Sequence, residues 1–220
     1  TDAGNGVINM GTLQQSAGDL ILVTNGTGAA TVVNNAGIDF GTSNVGGALS
    51  ATASAGNITQ NGGAITVAGT SSFILGANSA NVVLDHASNA FSGAVTLLAG
   101  AGGSQAFGNV TFVDDSAVKI DANADAAGDL YLNAGTDGAV GGNLAVTATT
   151  GNITQGVAVA VTGTSAFTTS ATDATITLGT TTNALGGTVA FTTAGTAGNV
   201  VIDNGTTGLD LAASTINGTL

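Results

Sequence analysis

The chain has no cysteine, no proline, no tryptophan and no glutamate, and Lys119 is its only basic residue. Each absence excludes something. Without cysteine there is neither a disulfide framework nor a thiolate metal site, although this does not fix the compartment. Without proline no position gives up a backbone N–H, as expected where nearly every residue feeds a hydrogen-bonded ladder. The absence of Glu and Arg, with a single Lys, removes the usual helix formers. Charged residues make up 6% of the chain, against a usual quarter or so. That scarcity suits a structure whose like positions stack about 4.8 Å apart, where a charged column would repel itself. A net charge of −12 argues against nucleic acid and anionic membrane surfaces, both of which call for basic patches. One Tyr and no Trp argue against the aromatic girdles of a membrane barrel. No apolar run is long enough to cross a bilayer as a helix, and neither a signal peptide nor an initiator Met is present. The 220 residues read as a mature segment of a longer polypeptide.

What is present is apolar residue, glycine and threonine. The chain is 43% hydrophobic and contains 36 glycines. Its apolar signals are short runs separated by Gly, Asn, Asp or Ser. Many alternate, as in Ile65-x-Val67, Val95-x-Leu97, Leu130-x-Leu132 and Ile176-x-Leu178. Period two with no helical segment between runs means strands with one buried face.

The chain also repeats itself. Gly56-Asn57-Ile58-Thr59-Gln60 returns as Gly151-Asn152-Ile153-Thr154-Gln155. Gly69-Thr70-Ser71-x-Phe73 returns as Gly163-Thr164-Ser165-x-Phe167, Asn89-Ala90 as Asn183-Ala184, and Gly93-x-Val95 as Gly187-x-Val189. The offset is 95 residues at first and 94 after one loop. A shorter motif, apolar-Gly/Ser-Gly-x-apolar, recurs at Val45, Phe91, Val140 and Leu185, spacings of 46, 49 and 45 residues. That is two coils of roughly 20–25 residues, the coil length of a β-solenoid. An antiparallel sandwich has no reason to repeat its turns at fixed spacing. The expectation is therefore an all-β parallel β-helix of about ten coils. It forms a single continuous segment over residues 1–220, duplicated as 56–150 and 151–220, the second copy incomplete. Gly47, Gly93, Gly142 and Gly187 are expected to turn corners at positive φ. Phe73 and Phe167 are expected at equivalent corners of the core.

The Gly-Asn-Ile-Thr-Gln motif, followed by alternating Val/Ile and Gly-Thr-Ser-x-Phe, resembles the passenger repeats of large bacterial exoproteins. These are the filamentous-haemagglutinin-like, β-strand-repeat adhesins of two-partner and autotransporter secretion, and the resemblance covers almost the whole chain. It implies a right-handed parallel β-helix, export through an outer-membrane pore, and a place outside the cell or on the bacterial surface in adhesion or matrix building. The expected function is a stiff fibre or stalk that associates with itself along its axis. A passenger binding surface glycans or a host receptor is the alternative. A polysaccharide-acting β-helix enzyme is the weakest of the three, because such enzymes need clustered carboxylates with Lys or Arg partners.

Candidate site residues are few. Asp85 and His86 have Gly179 and Thr180 at the equivalent positions of the second copy, so the pair belongs to one copy only and reads as a solvated turn. Six carboxylates crowd between Asp114 and Asp137: Asp114, Asp115, Asp121, Asp125, Asp129 and Asp137. Within them Asp121-x-Asn123-x-Asp125, followed by Asp129, offers hard oxygens of the kind calcium takes. Ala126 and Leu132, however, occupy the positions where a helix-loop-helix calcium loop needs Gly and Glu. The competing reading is a polar edge with Lys119 as a local counter-charge. Asn57 and Asn152 fit Asn stacking at coil turns. Thr147-x-Thr149 and Thr175-x-Thr177 resemble ice-binding faces, but no such pattern is expected to persist from coil to coil.

Overall fold

A computed structural model describes residues 4–100, 105–134 and 138–220. The described residues form an all-β parallel solenoid of about nine turns, without helix. Strands are numbered in chain order. Two broad faces lie back to back. The front face stacks β1 (Ile8–Leu13), β2 (Ala30–Asn34), β5 (Leu49–Ala53), β8 (Ser71–Leu75), β11 (Val95–Ala99), β14 (Asp129–Asn133), β13 (Val118–Asp121), β17 (Ile153–Gln155), β20 (Ile176–Leu178) and β23 (Val200–Ile202). The back face stacks β3 (Ile38–Phe40), β6 (Ile58–Gln60), β9 (Val82–Leu84), β12 (Val110–Asp114), β16 (Leu144–Ala148), β19 (Ser165–Thr172), β22 (Thr188–Ala194) and β24 (Asp210–Leu211). Two narrow edges close the coil. One is β4 (Ser43–Val45), β7 (Ile65–Val67) and β10 (Ala90–Phe91); the other is β15 (Ala139–Val140), β18 (Ala160–Val161) and β21 (Ala184–Leu185).

The chain does not wind in one pattern throughout. Up to β11 each coil runs front, back, first edge. From β12 onward it runs back, front, second edge. Strands that repeat one another in sequence therefore sit on opposite faces. Phe73 of β8 is on the front and Phe167 of β19 on the back. Both are fully buried, as expected, but they lie mid-strand on opposite faces, not at equivalent corners. At the changeover one strand is out of chain order: β14 lies between β11 and β13. Its Leu130 pairs in register with Val95 on one side and Ile120 on the other. The loop after Ile120 doubles the chain back so that β14 fills this level.

Alternating side chains build one core running from Leu22 to Val200. Phenylalanines mark its first half as a chain of contacts. Phe40 meets Phe73, Phe73 meets Phe91 and Phe91 meets Phe112, with ring centroids 6.0, 5.9 and 5.5 Å apart. In the second half Phe167 and Phe191, register partners on adjacent strands, stack at 6.0 Å.

Glycine at the repeated corners serves a different purpose from the one expected. Gly47, Gly93, Gly142 and Gly187 do not take positive φ. They are needed because each lies against the backbone of the coil beneath. A Cβ on Gly93 would come within 2.5 Å of the Gly69 carbonyl oxygen, and one on Gly142 within 2.5 Å of that of Gly108. Gly47 and Gly187 meet the carbonyls of Thr27 and Gly163 as closely. The result is two glycine ladders. In one, Gly47 donates its N–H to Gly28 and Gly69 donates to Gly47. In the other, Gly142 donates to Gly108, Gly163 to Gly142 and Gly187 to Gly163, all at 2.8–3.1 Å.

Candidate functional site

The narrow edges pose a problem that side chains solve. Their strands are two or three residues long, and the N–H groups of Ile65, Phe91, Val159 and Leu185, in or beside them, find a side-chain acceptor instead of a backbone one. An N–H left with neither is costly when buried. In the first copy Asn89, fully buried, folds inward and accepts from Ile65 N–H at 2.9 Å. The rest of its amide pairs reciprocally with Gln60 of the coil below. Gln60 Nε2 donates to Asn89 Oδ1 at 2.7 Å, and Asn89 Nδ2 donates to Gln60 Oε1 at 2.9 Å. The second copy repeats this unit on the other edge. Asn183 accepts from Val159 N–H at 2.8 Å and exchanges bonds of 2.8 and 3.0 Å with Gln155. The final Gln of Gly-Asn-Ile-Thr-Gln and the Asn of Asn-Ala are thus one amide pair, split across two coils.

Asp114 takes the same part where the first edge ends. Its Oδ1 accepts from Phe91 N–H at 2.9 Å, and Ser116 Oγ donates to its Oδ2 at 2.7 Å. It is 2% exposed, and that burial pushes its carboxyl above the ordinary value against the pull of those hydrogen bonds.

Asparagine also ladders outside, as expected. The Asn57 side chain accepts from Asn81 N–H, Asn81 from Asn109, Asn109 from Asn143 and Asn143 from Thr164, at 2.7–2.9 Å. Each precedes a back-face strand. Asn152, on the front face, accepts instead from Thr175 N–H at 2.8 Å.

The candidate calcium ligands do not come together. Asp121 is ion-paired with Lys119, which holds its carboxyl below the ordinary range and raises the Lys119 ammonium. Asn123 Nδ2 donates to Asp125 Oδ2 at 2.9 Å. Asp129 is buried and accepts from Ala126 N–H at 2.8 Å, closing the turn that starts β14. Among the described residues no three His, Cys, Asp or Glu side chains are gathered as a metal would need. The spacing that suggested a calcium loop is the loop by which β13 doubles back to β14. Asp137 lies outside the described residues. Asp85 and His86 are exposed, and His86 Nδ1 accepts from Ser88 N–H at 3.1 Å. Among the described residues no helix is long and apolar enough to cross a membrane.

A duplicated coil, a single stacked core and ladders that bond each turn to the next define a repeat protein of the β-solenoid class. The chain belongs to the family described as "Repeats of unknown function (DUF5649)", which matches residues 27–98 and 107–192, more than two thirds of its length. No curated protein and no solved structure matches it.

The two matched segments meet where the faces exchange roles, and they align further than the obvious repeat. Thr31-Val32-Val33-Asn34 corresponds to Thr111-Phe112-Val113-Asp114 at an offset of 80 residues, whereas Val45-Gly46-Gly47 corresponds to Val140-Gly141-Gly142 at 95. The difference is an insertion of 15 residues after Ile120, and it carries β14 and its acidic loop. Asp114 stands where the first segment has Asn34, which is also buried.

Proposed function

We propose that the chain is a structural segment of an extracellular fibre or stalk of a bacterial surface protein, serving adhesion, cell–cell contact or matrix formation. One observation carries this reading. Among the described residues one apolar core runs along the axis, and glycine and asparagine ladders bond each coil to the next. Coils joined in this way can be continued axially, by further coils of a longer polypeptide or by the next copy. The resemblance to filamentous-haemagglutinin-like passengers supports placement outside the cell, and the near absence of Lys and Arg suits exposure to trypsin-like proteases. We assign no catalytic role, since the lone lysine is held by Asp121 and the Asp85–His86 pair has no counterpart in the second copy. Electron microscopy of material released from the native source, labelled with an antibody to this segment, tests the proposal. Label along thin protease-resistant fibres outside the cell supports it; label confined to the cell interior overturns it.

A further inference from the structure

The long strands of each family segment present a charge-free grid outward. On the front, Thr31, Ser50, Ser72 and Thr96 stand in register as one column, and Val33, Thr52, Ile74 and Leu98 as the next. On the back, Thr111, Ala145, Ala166 and Ala190 form one column, and Thr147, Thr168 and Thr192 the other, in register with Val113, which is itself buried. Thr215 extends that second column by one bridge. Threonine persists from coil to coil along this one column, although the Thr-x-Thr pattern does not, and the sequence conceals it. It is hidden there because the steps between coils are unequal. None of these residues is charged on a chain of net charge −12. The carboxylates lie elsewhere: Asp85, Asp115, Asp125 and Asp173 are exposed outside the grids, and Asp39 is on the back face of the first segment.

We infer that the two grids are the complementary halves of one lateral interface, through which copies of this chain pack side by side, front grid against back grid. The face exchange makes this geometry available, because it turns equivalent surfaces of the two segments to opposite sides of the solenoid. Front and back strands are the two sides of one coil and run in opposite directions. A neighbour shifted sideways with its axis parallel therefore lays its back strands antiparallel on the first copy's front strands. The columns then cross over. The column of Val33, Ile74 and Leu98 meets the Ala145–Ala166–Ala190 column, large against small. The Thr31–Ser50–Ser72–Thr96 hydroxyls meet those of Thr147, Thr168 and Thr192. Small, identical side chains repeated in register are what dry face-to-face packing uses. Like charge disfavours approach over the carboxylate-bearing surfaces.

The front grid spans β2 to β11 and the back grid β12 to β22, so neighbours are staggered along the axis. The contact is heterologous and does not close on itself, so it adds copies without limit. Each grid is four strands tall, about 15 Å, and two columns wide, which makes a single contact weak. The interface rests on the grids alone and stands whether or not the coils also stack end to end.

The test uses the whole chain and two outward substitutions, Ile74→Asp and Ala166→Asp, each checked for an unchanged circular dichroism spectrum and melting temperature. Sedimentation velocity over a range of concentrations should show the wild-type chain associating and each variant alone losing that association at least tenfold. Mixing the two variants should restore a contact, because the intact front grid of Ala166→Asp meets the intact back grid of Ile74→Asp. That assembly stops at a pair. If axial filaments form, electron microscopy should show them persisting in both variants with only side-by-side bundling lost. A monomeric wild type, a variant that bundles like wild type, or a mixture that stays apart would each overturn the inference. So would a monomeric wild-type chain that pellets with ice or an insoluble glucan and loses that binding in Ile74→Asp, which would assign the grids to a foreign surface.

Discussion

Truncating Asn89 to Ala tests the edge network. The side chain is fully buried and makes three bonds: it accepts from Ile65 N–H at 2.9 Å and from Gln60 Nε2 at 2.7 Å, and donates to Gln60 Oε1 at 2.9 Å. After truncation the Ile65 N–H faces the core without an acceptor. Gln60 keeps its bond to the Gly63 carbonyl at 2.6 Å and a longer one from His86 N–H at 3.3 Å, so it is only partly orphaned. One unmet buried donor costs about 1–3 kcal/mol, and the lost amide pair adds about 1 kcal/mol. The expected destabilisation is therefore about 2–4 kcal/mol. Gln60→Ala should cost less, because Asn89 can still serve Ile65. The two changes should not add: the double variant should fall short of the sum by about 1 kcal/mol or more, as partners in one network do. Repeat arrays can unfold in sections, so denaturant unfolding should be paired with hydrogen exchange, read at Ile65 and at the equivalent Val159. Asn89→Ala should accelerate exchange at Ile65 and leave Val159 unchanged. A loss under about 0.5 kcal/mol, within the range of an ordinary surface change, or strict additivity with Gln60→Ala, would refute the reasoning.

Four further outcomes are expected. Asp114→Asn should stabilise the chain at neutral pH by about 1 kcal/mol, since asparagine fills the corresponding place at Asn89 and Asn183 without burying a charge. Burial raises the folded carboxyl above its ordinary value, so the wild-type charge penalty is present at neutral pH and relieved as pH falls. The advantage of the variant should therefore shrink on acidification and vanish below about pH 4, measured as the difference between the two melting curves. Phe73→Ala or Phe167→Ala should each cost about 3–5 kcal/mol in denaturant titrations, and a loss below about 1 kcal/mol would contradict their burial. Ser71→Ala and Ser165→Ala should each stabilise by up to about 1 kcal/mol, because both buried hydroxyls lack a partner; a loss of stability would mean that they are bonded. Gly142→Ala should lower the melting temperature although its φ suits alanine, because the added methyl meets the Gly108 carbonyl; no change would remove close stacking as the reason for glycine.

The sequence made the solenoid legible because a parallel coil imposes a period. Gly-Asn-Ile-Thr-Gln and the Gly-Gly corners recur for the same local reasons in equivalent coils, and the inward alternation survives with them. The role of the glycines was not legible, since positive φ and close backbone contact both select glycine. Only the ladder of carbonyls beneath Gly93 and Gly142 separates them. The face exchange was hidden for a deeper reason. A repeat preserves what a strand does within its coil, but not which side of the axis it occupies, so Phe73 and Phe167 look identical in sequence and lie on opposite faces. The insertion after Ile120 concealed the correspondence of Asn34 with Asp114, because it shifts the offset from 95 to 80. It also gathered carboxylates that mimic a calcium loop. The partnership of Gln60 with Asn89 spans 29 positions and is visible only once coils are stacked.

The exchange of faces at the junction of the two family segments can be measured directly, because the chain contains no cysteine to interfere. In the solenoid described, Thr111 of β12 is the register partner of Val83 of β9 on the back face. If the second segment simply continued the winding of the first, its long strand β12 would lie on the front face above β11, beside Thr96. Paired parallel strands lie about 4.8 Å apart, within reach of a disulfide, whereas opposite faces do not. The Val83→Cys/Thr111→Cys double variant should form an intramolecular disulfide under mild oxidation, and Thr96→Cys/Thr111→Cys should not. The reverse result would contradict the exchange and the two-sided display of grids that depends on it.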